Sequence, residues 1–153
     1  MVEELNLLLG YQGSLNNTKE FIVKKKILII DDEEAFTRIL KLNLEATGLY
    51  LVHVENRGSH AFNTARFFQP DMIFLDLIMP DLEGSQVAYQ IRNDEFLRNI
   101  PVIFLTATVT SDEVKKHDGL IGGQHFLAKP VNVDQIIECI HRNLVVNNDK
   151  GAT

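Results

Sequence analysis

The chain has 153 residues, 45% hydrophobic and 24% charged, the balance of one ordinary folded domain and not of a disordered protein. Its formal net charge of -6 argues against direct nucleic-acid binding, and its longest apolar stretches are strand-sized, which argues against a membrane span. Cys139 is the only cysteine, which excludes an intrachain disulfide and a paired-cysteine metal or redox site.

Residues 1–25 read as an extension. Leu5, Leu7, Leu8 and Leu9 form an apolar cluster, followed by Gly10, Gly13 and a polar Ser14 to Thr18 linker. The cluster is either frayed or a short helix that packs on the domain or on a partner. Glu3 and Glu4 stand where a secretory signal carries positive charge, so a cytoplasmic protein is expected.

From Lys26 to about Val146, short apolar runs alternate with segments of helical period, the pattern of a doubly wound α/β sheet. The first strand, about Lys26 to Ile30, ends on Asp31-Asp32-Glu33-Glu34, and Phe36, Ile39, Leu40 and Leu44 then recur at helical spacing. The second, Tyr50 to Glu55, carries Tyr50, His53 and Glu55 and suits a sheet edge. A helix bearing Ala61, Phe62, Ala65 and Phe68 follows. The third strand, Met72 to Asp76, is apolar up to its final acid, and Leu77-Ile78-Met79-Pro80 leads toward a helix marked by Val87 and Ile91.

The fourth strand, Val102 to Thr106, is followed by Thr110 and Glu113, which have the form of a capping box. The short helix it opens is stopped by Gly119 and Gly122-Gly123. A fifth strand, His125 to Ala128, runs into Lys129-Pro130. The last helix, about Val133 to Leu144, presents Ile136, Ile137, Ile140 and Leu144 as an apolar stripe, with Asn132 and Gln135 as its cap. Residues 147–153 are left as a tail. Strands other than the second are continuously apolar, as parallel strands covered on both faces should be. Cys139, among isoleucines, reads as structural, and the five histidines show no ligand spacing.

In an open parallel sheet the carboxyl ends of the strands share one edge, and ligands bind outside it. Asp31, Asp32, Asp76, Thr106 and Lys129 therefore converge. Carboxylates gathered at one edge repel unless a cation stands between them, and an all-oxygen donor set suits Mg2+. Asp76 is then a nucleophile toward a phosphoryl group, with Lys129 and Thr106 placed to neutralise and hydrogen-bond its oxygens. Each residue alone has a plainer reading: acids favour a helix N-terminus, a threonine ends a strand, a lysine precedes a turn proline. Their conjunction at the ends of separate apolar runs is what favours chemistry.

Ile30-Asp31-Asp32-Glu33, Asp76-Leu77-Ile78-Met79-Pro80 with Gly84 four residues on, Thr106-Ala107 and Lys129-Pro130 resemble the receiver domain of bacterial two-component response regulators, in order and at family spacing. The resemblance spans about Lys26 to Leu144. It implies a flavodoxin-like sheet of five parallel strands in order 2-1-3-4-5 with five helices. It also implies phosphorylation of Asp76 by a sensor histidine kinase, with Mg2+ held by Asp31 or Asp32, Asp76 and the backbone carbonyl of Ile78. Thr106 and Phe126 take the family's switch positions, the latter in place of a frequent tyrosine. Ile78 and Thr108 stand where the family tunes attack of water, and neither offers a carboxylate or amide, so a long-lived phosphoryl group is expected.

Neither flank is long enough for an output domain. The expected partner is a downstream target protein, or a histidine phosphotransfer protein if the chain is a relay intermediate; homodimerisation through the face of the fourth helix, fifth strand and fifth helix is open. A receiver-like module that is never phosphorylated would be expected to lose an acid, the threonine or the lysine, and all are present. An aspartate-nucleophile phosphatase of the haloacid dehalogenase class needs an acid two residues after the nucleophile, where Ile78 stands. A dinucleotide-binding domain would need glycines where the first strand meets Asp31 to Glu34.

Overall fold

The structure, a computed structural model, describes residues 22–117 and 119–149, the last five by backbone alone. The leucine cluster of the front extension lies outside the described residues. In chain order the elements are β1 (Lys25–Ile30), α1 (Glu34–Ala46), β2 (Tyr50–Glu55), α2 (Gly58–Phe68), β3 (Met72–Asp76), α3 (Gly84–Arg92), β4 (Val102–Thr106), α4 (Ser111–Lys116), β5 (Leu120–Ile121), β6 (Gln124–Ala128) and α5 (Val133–Asp149). The sheet order is β2-β1-β3-β4-β6-β5, parallel except for the last pair.

Side chains of a strand alternate between faces, and the two cores follow that alternation. Ile27, Ile29, Met72, Phe74, Ile103 and Leu105 pack with Leu40 and Leu44 of α1 and Ile136 and Ile140 of α5. Leu28, Ile30, Ile73, Leu75 and Phe104 pack on the other face with Ala61 and Ala65 of α2 and Val87 and Ile91 of α3. Every residue of β3 is buried, including Asp76, because this strand is central and covered on both sides. β2 alternates buried and exposed over its first four residues, as an edge strand with one free border does.

The expected capping boxes form. Thr110 Oγ1 accepts from the Glu113 N–H while the Glu113 carboxylate accepts from the Thr110 N–H. Asn132 and Gln135 make the same reciprocal pair at 2.9 Å in each direction.

Two departures from expectation stand out. The sheet has a sixth strand, β5, antiparallel to β6, because Gly122 and Gly123 both adopt positive φ (57° and 78°) and fold the chain into a tight hairpin, the helical segment having already ended at Lys116. Helix α5 runs on to Asp149, past Leu144, since no glycine or proline intervenes before Gly151. Among the described residues no helix is long and apolar enough to cross a membrane.

Candidate functional site

Register places the site before any side chain is considered. Ile30 is level with Leu75, Asp76 with Leu105, and Thr106 with Ala128. Asp31 therefore follows β1 at the height of Asp76, and Lys129 follows β6 just beyond Thr106. Alternation then sorts them by face. Asp31 continues the row of Ile27 and Ile29, Asp76 that of Met72 and Phe74, and Lys129 that of Leu127, all on the α1–α5 side. Thr106 continues the row of Phe104 on the opposite side, where Phe126 also packs.

Side-chain geometry agrees. Carboxylate oxygens of Asp31, Asp32 and Asp76 lie within 4.8 Å of one another. Asp31 is fully buried, Asp76 nearly so, and Asp32 faces solvent. The Lys129 ammonium reaches in from the next strand end, 2.6 Å from Asp31 Oδ2, 3.3 Å from Glu33 Oε1 and 3.8 Å from Asp76 Oδ1. The ammonium also lies over the Phe36 ring, with Nζ 5.0 Å from the ring centroid. Lys129 is thus a desolvated cation inside an acidic cage and not a solvated lysine before a turn.

Three carboxylates face one ammonium, and the imbalance shows in their acidity. Burial pushes the Asp76 carboxyl up to about 6, and the charge of Asp31 adds to it; Lys129 and the Ile78 N–H act the other way. Burial likewise raises Asp31 despite the Lys129 ammonium beside it and the Glu33 N–H donated at 2.9 Å. Burial would lower the Lys129 ammonium, but Asp31, Asp76 and Glu33 together outweigh it and raise it.

Asp31 Oδ2 is buried and has the Lys129 ammonium, 2.6 Å away, as its polar partner. One ammonium does not balance the carboxylates gathered here, a hard divalent cation would, and the donors are oxygen only. The residues fit Mg2+.

Thr106 is buried at the end of β4, and its hydroxyl is engaged by Thr108: the two oxygens stand 2.8 Å apart, and the Thr108 N–H donates to Thr106 Oγ1 at 3.1 Å. Phe126 is half-buried and stacked on Phe104, ring centroids 5.3 Å apart. Ile78 stands 61% exposed beside the site, and its N–H makes a long 3.4 Å contact with Asp76 Oδ1.

The β3–α3 loop is shaped by two close backbone approaches. A Cβ on Gly84 would lie 2.2 Å from the Asp76 carbonyl oxygen and 2.9 Å from Leu77 Cα, so only glycine lets α3 start against the end of β3. The Gly84 N–H donates to the Leu77 carbonyl at 2.8 Å and closes that loop. A Cβ on Gly58 would meet the Leu82 carbonyl oxygen at 2.7 Å, which ties the start of α2 to the same loop. The sequence reading included neither Gly58 nor the loop's other holder, Asp81. A glycine after a strand and before a helix was the available signal for Gly58.

The profile of the response regulator receiver domain matches residues 27–141. The polar-differentiation response regulator DivK of Brucella anthropi is 32% identical over 117 residues, which cover 76% of this chain and 93% of that protein. Among solved structures, the receiver domain of Francisella response regulator 1452 superposes with a TM-score of 0.64 at 28% identity, covering 78% of this chain and 95% of that one. A CheY-like receiver domain protein of Methanospirillum hungatei superposes with a TM-score of 0.68 at 23% identity over 83% of this chain and 98% of its own, which shows a shared fold.

Proposed function

The chain belongs to the response regulator receiver domain family and so to two-component signalling, and from that premise we propose that it is a switch set by phosphorylation of Asp76. The carrying observation is the cluster in which buried Asp31 and Asp76 converge with solvent-facing Asp32 and with the Lys129 ammonium.

An Asp76 oxygen forms the new bond to phosphorus while the bond from phosphorus to the donor breaks. The electron pair leaves with the donor, onto an imidazole nitrogen of a kinase phosphohistidine or a carboxylate oxygen of an acyl phosphate. Mg2+, when bound, supplies the positive charge that lets an anionic carboxylate and an anionic phosphoryl group approach. Asp31, Asp32, Asp76 and the Ile78 backbone carbonyl would hold it.

Lys129, desolvated among acids and 3.8 Å from Asp76, would exchange its Asp31 and Glu33 partners for a phosphoryl oxygen. The Thr106 hydroxyl would leave Thr108 for another phosphoryl oxygen, and Phe126, on the same face as Thr106, would reseat against Phe104. The switch therefore passes from the α1–α5 side of the sheet, where the charge changes, to the other, where the surface changes. The expected donor is a sensor histidine kinase and the expected reader a target protein docking on the altered face. Neither Ile78 nor Thr108 can orient an attacking water through a carboxylate or amide, so the phosphoryl group should be long-lived.

Mg2+ with beryllium fluoride, which mimics a phosphoryl group on a carboxylate, tests this by amide and aromatic NMR. The reading expects shifts at Thr106, Thr108 and Phe126 in the wild-type chain and none in Asp76→Asn. Equal shifts in both, or shifts confined to Asp31 and Asp32, would overturn it.

A further inference from the structure

The two loops that supply the proposed metal ligands follow β1 and β3, neighbours paired as far as Ile30 and Leu75, and beyond that pair no backbone hydrogen bond joins the two loops among the described residues. The segment Asn56 to Ser59, which leaves β2 and opens α2, touches both. On one side, the Asn56 amide donates to the Asp31 backbone carbonyl at 2.7 Å and to Thr37 Oγ1 at 3.0 Å. The Thr37 hydroxyl donates to the Glu34 carbonyl at 3.1 Å, and Thr37 is buried. The Asp31 N–H is held in turn by the Glu55 carbonyl at 3.1 Å. Both backbone groups of Asp31 are therefore fixed from β2 and the residue after it.

On the other side, helix α2 has no cap of its own, because the side chain of Arg57 accepts nothing. Its first N–H groups are capped by Asp81 from the β3–α3 loop: Gly58 donates to Oδ1 at 3.1 Å and Ser59 to Oδ2 at 2.9 Å. The Ser59 N–H and hydroxyl, and then the Gly58 N–H, hold the Asp81 carboxyl down at about 2. Gly58 is required because the same loop presses its Leu82 carbonyl to within 2.7 Å of where a Cβ would be.

We propose that this connection is a bracket that sets the separation between the Asp31–Asp32 loop and the Ile78 loop, with Asn56 and Asp81 as positioning residues at its two ends. The inference rests on the Mg2+ reading above and adds to it which residues outside the ligand set tune the ion's affinity. Neither residue touches the ion. Asn56 aims the backbone that carries the buried Asp31 carboxylate, and Asp81 anchors the loop that would offer the Ile78 carbonyl. Groups that orient ligands in this way are worth roughly 10-fold or more in metal affinity.

The test is calorimetric titration of Mg2+ into the full chain for wild type, Asn56→Leu, Asp81→Ala and the double variant, with a urea unfolding curve for each. Each single variant should weaken Mg2+ binding about 10-fold, out of proportion to its change in urea midpoint. Asn56→Ser, which keeps one donor, should recover part of the affinity and stands in if the leucine variant does not fold. Variants that lose stability but bind Mg2+ as tightly as a binding wild-type chain would overturn the bracket alone. A wild-type chain that takes up no Mg2+ would overturn the metal reading and the bracket with it.

Discussion

Replacing Asp76 by asparagine should make the metal-free protein more stable at neutral pH, and the size of the gain follows from its surroundings. The carboxyl sits in the folded chain at about 6 against an ordinary 3.8, chiefly because it is buried and then because Asp31 is beside it. The folded state therefore binds this proton more tightly than the unfolded chain does. Stability is fullest below the unfolded value and declines as pH rises through the folded one. At 1.36 kcal/mol per pH unit, keeping the carboxylate ionised costs the metal-free fold about 3 kcal/mol at pH 8 and about 0.5 kcal/mol at pH 4. Asparagine keeps the shape and removes the charge. In EDTA the Asp76→Asn chain should melt roughly 10 °C above wild type at pH 8, at about 3 to 4 °C per kcal/mol for a domain of this size. The gap should nearly vanish at pH 4, and saturating Mg2+ should narrow it at pH 8 by stabilising only the wild type. A variant no more stable than wild type at pH 8, or a gap that ignores pH, would refute the argument.

Lys129→Ala should still fold but lose about 3 kcal/mol at neutral pH without metal, since it leaves buried Asp31 and Asp76 uncompensated; urea unfolding with an unchanged midpoint would contradict this. Asp32→Ala, whose side chain faces solvent, should leave metal-free stability no lower while weakening Mg2+ binding at least about 10-fold. Calorimetry returning the wild-type affinity would remove Asp32 from the ligand set. Gly84→Ala forces a Cβ to within 2.2 Å of the Asp76 carbonyl oxygen, backbone against backbone, so a loss of about 2 to 4 kcal/mol is expected. A urea midpoint equal to that of wild type would show that this loop yields freely.

Much of the site could be read from sequence because it is local. Runs ending on Asp31, Asp76, Thr106 and Lys129 need only the rule that parallel strands share an edge, and the register then brings the residues level. The capping residues Thr110 and Asn132 were legible for the same reason, each pairing three residues ahead. What escaped depends on packing between distant segments. Asn56 meets Asp31 across 25 positions and Asp81 meets Gly58 across 23, and no periodicity announces either. β5, at two residues, is too short to have a period, and its hairpin glycines resemble an ordinary helix stop. The Thr108 hold on Thr106 spans only two residues, a side-chain turn that the sequence permitted but did not require.

The most direct test of the whole account is intact mass after incubation with acetyl phosphate, with and without Mg2+, run beside Asp76→Asn. One phosphoryl increment should appear on the wild-type chain, disappear without Mg2+ and never form on the variant. An increment that survives loss of either the ion or the Asp76 carboxylate would contradict it, as would a wild-type chain that gains no mass from acetyl phosphate or from a phosphorylated histidine kinase.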